Sequence, residues 1–199
     1  MAQTSTHPEQ DVRDAAVEHA SKHSRLIRGA KDGRVVSALM LPFFMLRPPA
    51  GYGVIVTTGR KTGKTRRKCV RVIRRGERAY LVQLRPPALA RRRPSSRAGW
   101  VHNINSDPRV RLRIRGGTFA GVARELTDAD ELESARAVMC GKVNLFDYGE
   151  CDLHVRGVPT RAKIEELHEY WFDTGVPLVV ELGGQASGDG ATTSGEASG

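Results

Sequence analysis

The stretch from Tyr52 to Leu84, YGVIVTTGRKTGKTRRKCVRVIRRGERAYLVQL, decides the fold. It opens on a β-branched run, Tyr52 to Thr58, stopped by Gly59. Gly63-Lys64-Thr65 then ends like a loop that cradles a nucleoside triphosphate. The spacing refuses that reading, because the loop pattern GxxxxGKT stands here as GxxxGKT. A helix whose N-terminus faces phosphate should also follow, yet Lys68 to Ile73 reads as a strand. Cys69 to Arg74 and Arg78 to Leu84 flank Arg75-Gly76-Glu77, a hairpin with glycine in its turn. The pattern excludes triphosphate hydrolysis, and strand–turn–strand replaces strand–helix–strand.

Outward from this stretch the β pattern continues. Val110, Leu112 and Ile114 alternate with Arg109, Arg111, Arg113 and Arg115, a strand with one apolar and one cationic face. Gly116-Gly117 turns it into a second strand, Thr118 to Leu126, and Val176 to Leu182 forms a last one. Thr127, with Asp130 three residues on, is expected to cap a helix reaching Cys140. Thr160 is expected to start another, to about Phe172, with Ile164, Leu167 and Trp171 on one face. Before the first strand, Val12 to Ile27 reads as an amphipathic helix. Val35 to Leu46 is apolar but short of the ~20 residues that span a bilayer, and it contains Pro42. With Arg25, Arg28, Lys31 and Arg34 just upstream, this segment reads either as a helix over an open end of the core or as a peripheral membrane contact. The expected class is α+β, mainly β with flanking helices, and the sheet is expected to close into a small antiparallel barrel. The expected division is an N-terminal helical segment over 1–48, a barrel over 49–183 and a disordered Gly/Ser-rich tail over 184–199.

The chain has 199 residues, enough for one domain with a real core. Three cysteines without a CxxC argue against a disulfide scaffold or a structural zinc. The polar opening, Met1 to Gln10, has no signal-peptide pattern, and a cytoplasmic location is expected. Charge is concentrated: residues 60 to 115 hold 19 basic and 2 acidic residues, a balance of +17 in a chain whose net charge is +10. Such a block calls for a polyanionic partner. The turn Gly59 to Arg67 sits at its edge, offering cations, threonine hydroxyls and backbone N–H groups to an anion.

Three blocks carry a resemblance. Thr58-Gly59-Arg60-Lys61-Thr62-Gly63 with Arg66 resembles the opening motif of the deazaflavin-dependent nitroreductase and quinone reductase family of actinobacteria. Gly99-Trp100-Val101-His102-Asn103-Ile104-Asn105-Ser106-Asp107-Pro108 is similar to that family's Trp, His-Asn and Asn-Pro block, and Gly175 to Val180 is similar to its final strand. The resemblance runs from Tyr52 to Leu182. It implies a split β-barrel of the FMN-binding type that binds reduced coenzyme F420, an 8-hydroxy-5-deazaflavin with a phospholactyl and oligoglutamate tail. It further implies that Lys61 and Arg66 hold the phosphate, with Arg60, Thr62 and Arg67 as neighbours, and that Arg85, Gly99, Trp100 and Asn103 lie against the cofactor. Tyr148, Tyr170 and Trp171 are its candidates for the substrate pocket. The chain departs from the family in an enlarged loop between Arg85 and Trp100, with Pro86-Pro87 and Arg91-Arg92-Arg93.

The function implied is hydride transfer from reduced F420 to a quinone-like or nitroaromatic acceptor. The cofactor carries the hydride chemistry, so no nucleophile or paired carboxylates are required. None is identifiable, and no catalytic residue or metal ligand is assigned. Three other readings compete: a nucleic-acid-binding barrel, a flavin-dependent oxidase and a non-catalytic F420-binding protein. Aromatics are 6% of the chain and rarely interleave with the arginines, which leaves few stacking platforms for bases. No specific nucleic-acid partner is therefore expected.

Overall fold

The structure is a computed structural model that describes residues 9–23 and 30–185. Helices α1 (Glu9–Ala20) and α2 (Ala30–Leu46) precede strand β1 (Tyr52–Thr58). The expected hairpin follows as β2 (Thr65–Arg75) and β3 (Arg78–Gln83). Two short helices, α3 (Pro87–Arg92) and α4 (Gly99–Ser106), lead into a second hairpin, β4 (Arg109–Ile114) and β5 (Gly117–Glu125). Helices α5 (Ala129–Cys140), α6 (Leu145–His154) and α7 (Arg161–Thr174) return the chain to β6 (Val176–Gln185). The strands close into a barrel in the order β1-β2-β3-β6-β5-β4, every pair antiparallel. The fold is the small closed antiparallel barrel with flanking helices expected from the sequence.

Strand alternation fills the barrel. Val110, Leu112 and Ile114 of β4 share the barrel core with Ile55 of β1, Leu81 of β3 and Leu178 of β6. Helix α4 plugs one end by adding Val101 and Ile104 to the same core. β1 does not alternate in burial, because α2 covers its outer face: Phe44 packs with Tyr52 and Val54. Gly53 lets β1 and β4 pair closely, since a Cβ there would lie 2.5 Å from the Arg113 carbonyl oxygen. The arginine face of β4 is partly taken up by this packing. Arg113 donates to the carbonyls of Met45 (2.6 Å) and Leu46 (3.2 Å), supplying a cation to the C-terminal end of α2. Arg109 pairs with Asp107 at 3.0 Å.

A second layer joins α1, α3, α6 and α7 through Val12, Ala90, Cys151, Leu167 and Trp171. Between this layer and the barrel lies a buried ionic network. Asp147 of α6 accepts from Tyr52 Oη (2.6 Å) and from the Asn144 N–H (2.6 Å), and Arg71 Nε stands 3.6 Å away. Arg71 also donates to the carbonyls of Met139 and Lys142. Burial pushes the Asp147 carboxyl up, but His168, Tyr52 and the Arg71 charge outweigh it and bring its pKa down to about 2.

Several boundaries differ from expectation. The α5 cap is Asp128, whose side chain accepts from the N–H groups of Asp130 and Glu131, not Thr127. Thr160 does cap α7, accepting from Lys163 N. Helix α1 ends at Ala20, and the expected continuation to Ile27 falls partly on residues 24–29, outside the described residues. β6 runs on to Gln185, past the expected start of the tail, and 186–199 lie outside the described residues. Helices α3, α4 and α6 were not anticipated.

Candidate functional site

The turn between β1 and β2 is built by its own backbone. Gly59 N–H donates to the Lys64 carbonyl (2.9 Å), and the N–H groups of Thr62 and Gly63 return to the Gly59 carbonyl (3.0 and 2.7 Å). Gly63 sits at φ 64°, a conformation glycine adopts without strain. The closed turn leaves Arg60, Lys61, Arg66 and Arg67 exposed around it. Asn103 of α4 fixes the turn from below: its Oδ1 accepts the Arg60 N–H (3.2 Å) and its Nδ2 donates to Thr57 Oγ1 (3.1 Å).

Helix α4 begins beside this turn with no side-chain cap on its first N–H groups. Its entry is held by Gln83, whose Oε1 accepts the Ala98 N–H (2.6 Å) while Nε2 donates to the Ser96 carbonyl (3.1 Å). Arg85 is 3% exposed, and its guanidinium serves the carbonyls of Ser96 and Thr174. Burial lowers its pKa to about 10. Arg97 completes the frame through a paired contact with Glu125 at 2.7 and 2.9 Å.

These elements line one cavity of about 870 Å³, at the upper end of small-molecule sites. At one end stand the cationic turn, the start of α4 and Arg93; the wall is Val70, Val82, Leu84 and Trp100. The far end is roofed by Met40 and Phe44 of α2 and bounded by Glu150, His154 and Trp171. Helix α2 is held there by hydrogen bonds from Lys68 Nζ to the Gly33 carbonyl (3.0 Å) and from the Cys69 N–H to Ser37 Oγ (3.1 Å).

The donor set fits the deazaflavin. A phosphate and carboxylates match the cations and free N–H groups at one end, and a flat ring system matches the apolar wall. Ser96 Oγ is buried at the cavity wall without a hydrogen-bond partner, a polar atom left for a ligand to satisfy.

The sequence-expected residues Arg60, Lys61, Thr62, Arg66, Arg67, Arg85, Gly99, Trp100 and Asn103 all lie on this cavity. They divide by contact: Arg85 and Asn103 bind the protein's own backbone, whereas the turn cations face outward. Of the substrate candidates, only Trp171 lines the cavity. Tyr170 is buried against α1 and donates its hydroxyl to the Arg85 carbonyl (3.0 Å), and Tyr148 lies on the exposed side of α6. Ser96, Gln83, Glu150 and His154 were not singled out. They come from β3, the segment before α4 and helix α6, and only Glu150 and His154, four residues apart on α6, share an element.

The profile of the F420H(2)-dependent quinone reductase family matches residues 25–151. No curated protein matches the chain. Among solved structures, an F420-H2 dependent reductase (FDR-A) is 17% identical with a TM-score of 0.42, over 66% of this chain and 95% of that one. A heme binding protein from Mycobacterium smegmatis is 15% identical with a TM-score of 0.41, over 92% of this chain and 53% of that one. A pyridoxamine 5'-phosphate oxidase-related, FMN binding protein from Nostoc punctiforme is 12% identical with a TM-score of 0.39, over 72% and 77%. The family match takes in the cationic turn, α4 and both hairpins, and with it the chain belongs to the F420H(2)-dependent quinone reductase family, as an oxidoreductase that uses reduced coenzyme F420.

Proposed function

We propose that the chain reduces a quinone or nitroaromatic acceptor with reduced F420, binding both in the cavity of about 870 Å³. The observation that carries this reading is the meeting of the cationic turn and the apolar wall in one cleft. Lys61 and Arg66 hold the phosphate, and Arg60, Thr62, Arg67 and the start of α4 surround the anionic tail. When bound, the reduced deazaflavin supplies the hydride. The chain's residues set the geometry: Asn103 fixes the turn, Gln83 and Arg85 fix the segment carrying Ser96, and Trp100 with Leu84 walls the ring. Trp171, Met40 and Phe44 give the acceptor an apolar berth that excludes water.

The outer face of α2 supports a peripheral membrane contact. Val35, Leu39, Phe43 and Leu46 form an exposed apolar stripe along α2, from 52% to 80% exposed, while Phe44 on the opposite side is buried. The cations Lys31 and Arg34 precede that stripe in the sequence and suit anionic headgroups. Among the described residues no helix is long and apolar enough to cross a membrane. Following oxidation of reduced F420 with menadione and with a nitroaromatic tests the reaction. The reading predicts turnover with at least one of them, and none with either contradicts it.

A further inference from the structure

The far end of the cavity holds a packed histidine with one ring nitrogen left unpaired. His154 closes α6, is 7% exposed, and forms part of the cavity wall. Its Nδ1 is buried without a hydrogen-bond partner, and its Nε2 faces Glu150 Oε2 at 3.5 Å. Trp171 meets its ring edge-on at 5.2 Å between centroids, and His23 does so at 5.7 Å. Glu150 also lines the cavity and keeps its side chain 19% exposed, so it touches both the histidine and solvent. An imidazole buried with an idle nitrogen costs stability, and an apolar side chain would pack better there if packing were its only task.

Chemistry at the acceptor requires a proton. Reduction of a quinone to a hydroquinone takes two electrons and two hydrogen nuclei. The hydride brings both electrons and one nucleus; the second must come as a proton to the remaining oxygen. We infer that His154 is the proton donor to the acceptor, recharged from solvent through Glu150. The imidazolium N–H bond breaks, the hydroquinone O–H bond forms, and Glu150 orients and stabilises the cationic ring. Other titratable groups stand around it: His23 and His19 on the α1 side, and Glu166 of α7, which pairs with Lys22. Burial, with His23 adding to it, lowers the His19 pKa to about 4, so His19 stays neutral and does not compete as a donor.

This assignment rests on the proposed quinone reduction, and the test separates the two. Single-turnover oxidation of reduced F420 by menadione is measured from pH 6 to 8 for the wild-type chain, His154→Gln and His154→Ala. The expected result for His154→Gln is a rate lower by roughly 10²-fold, with menadione affinity unchanged and the pH dependence flattened. Added imidazole should restore much of the rate in His154→Ala. A cofactor-free readout runs alongside. In a Trp100→Phe background, Trp171 emission should fall as the adjacent His154 protonates, and this step should vanish in His154→Gln. An unaltered rate and pH profile in His154→Gln overturns the assignment while leaving the quinone reductase intact. No menadione-dependent oxidation by the wild-type chain overturns the assignment together with quinone reduction, and failure with the nitroaromatic as well overturns the proposed function.

Discussion

Asn103 Oδ1 accepts the backbone N–H of Arg60 at 3.2 Å, which ties the helix plugging the barrel to the turn that carries the cations. Through Nδ2 the same amide holds Thr57 near the end of β1, so the buried side chain is itself anchored and the turn cannot move without breaking its hydrogen bond to it. Replacing Asn103 by Leu should weaken F420 binding by ~1–3 kcal/mol, the cost of leaving these groups unpaired, while the barrel still folds. Fluorescence titration against a thermal melt separates the two effects.

Lys61→Ala and Arg66→Ala should each weaken F420 binding by ~1–3 kcal/mol, the range for a lost charge-assisted hydrogen bond. Both side chains are exposed, and Arg66 keeps only a long contact to Thr62 Oγ1 at 3.4 Å, so stability should change by less than ~0.5 kcal/mol. Arg85→Ala should behave oppositely, lowering the melting temperature first, because it removes the guanidinium donor from the buried Thr174 carbonyl and leaves the Ser96 carbonyl to Gln83 alone. Paired melts and binding curves check the contrast.

The buried Asp147–Arg71 pair predicts an acid-sensitive fold. Asp147 has its pKa depressed to about 2 against an ordinary value of 3.8. The stabilisation is therefore complete above ~pH 4 and is lost as pH falls through about 2. Asp147→Asn leaves Arg71 buried without its counter-charge, and should cost ~3–5 kcal/mol at neutral pH. Urea unfolding of wild type and Asp147→Asn should show this gap narrowing as pH falls from 4 to 2. A gap constant over that range would contradict the ionic account.

The α2 stripe predicts binding to vesicles of anionic phospholipid, weakened by salt. Leu39 is 74% exposed, so Leu39→Glu should abolish co-sedimentation without changing stability or turnover of a water-soluble acceptor. Equal sedimentation of the variant would place the membrane contact elsewhere.

The barrel was legible where burial is one-sided. Arg109 to Ile114 alternates because one face meets the core and the other meets solvent or α2, and this periodicity survives into the structure. The three unforeseen helices lack that signal. α3 is six residues starting at Pro87, and α4 contains Gly99 and two asparagines and has no capping side chain at its start. α6 carries Gly149, but Asn144 with Asp147 three residues on is a cap that could have marked it. The cationic turn was legible because its chemistry is contiguous in the chain. Of the far end only Trp171 was named from the sequence, since Met40, Glu150 and His154 join it by tertiary packing of three helices.

The central claim is that the turn from Gly59 to Arg67 and the start of α4 form a site for an anionic deazaflavin. Titrating the purified chain with F420, FMN and NADPH at matched ionic strength tests it most directly. The account predicts that F420 binds far more tightly than the other two, and that Lys61→Ala with Arg66→Ala removes most of the difference. Equal or tighter binding of FMN, unaffected by those substitutions, would contradict it.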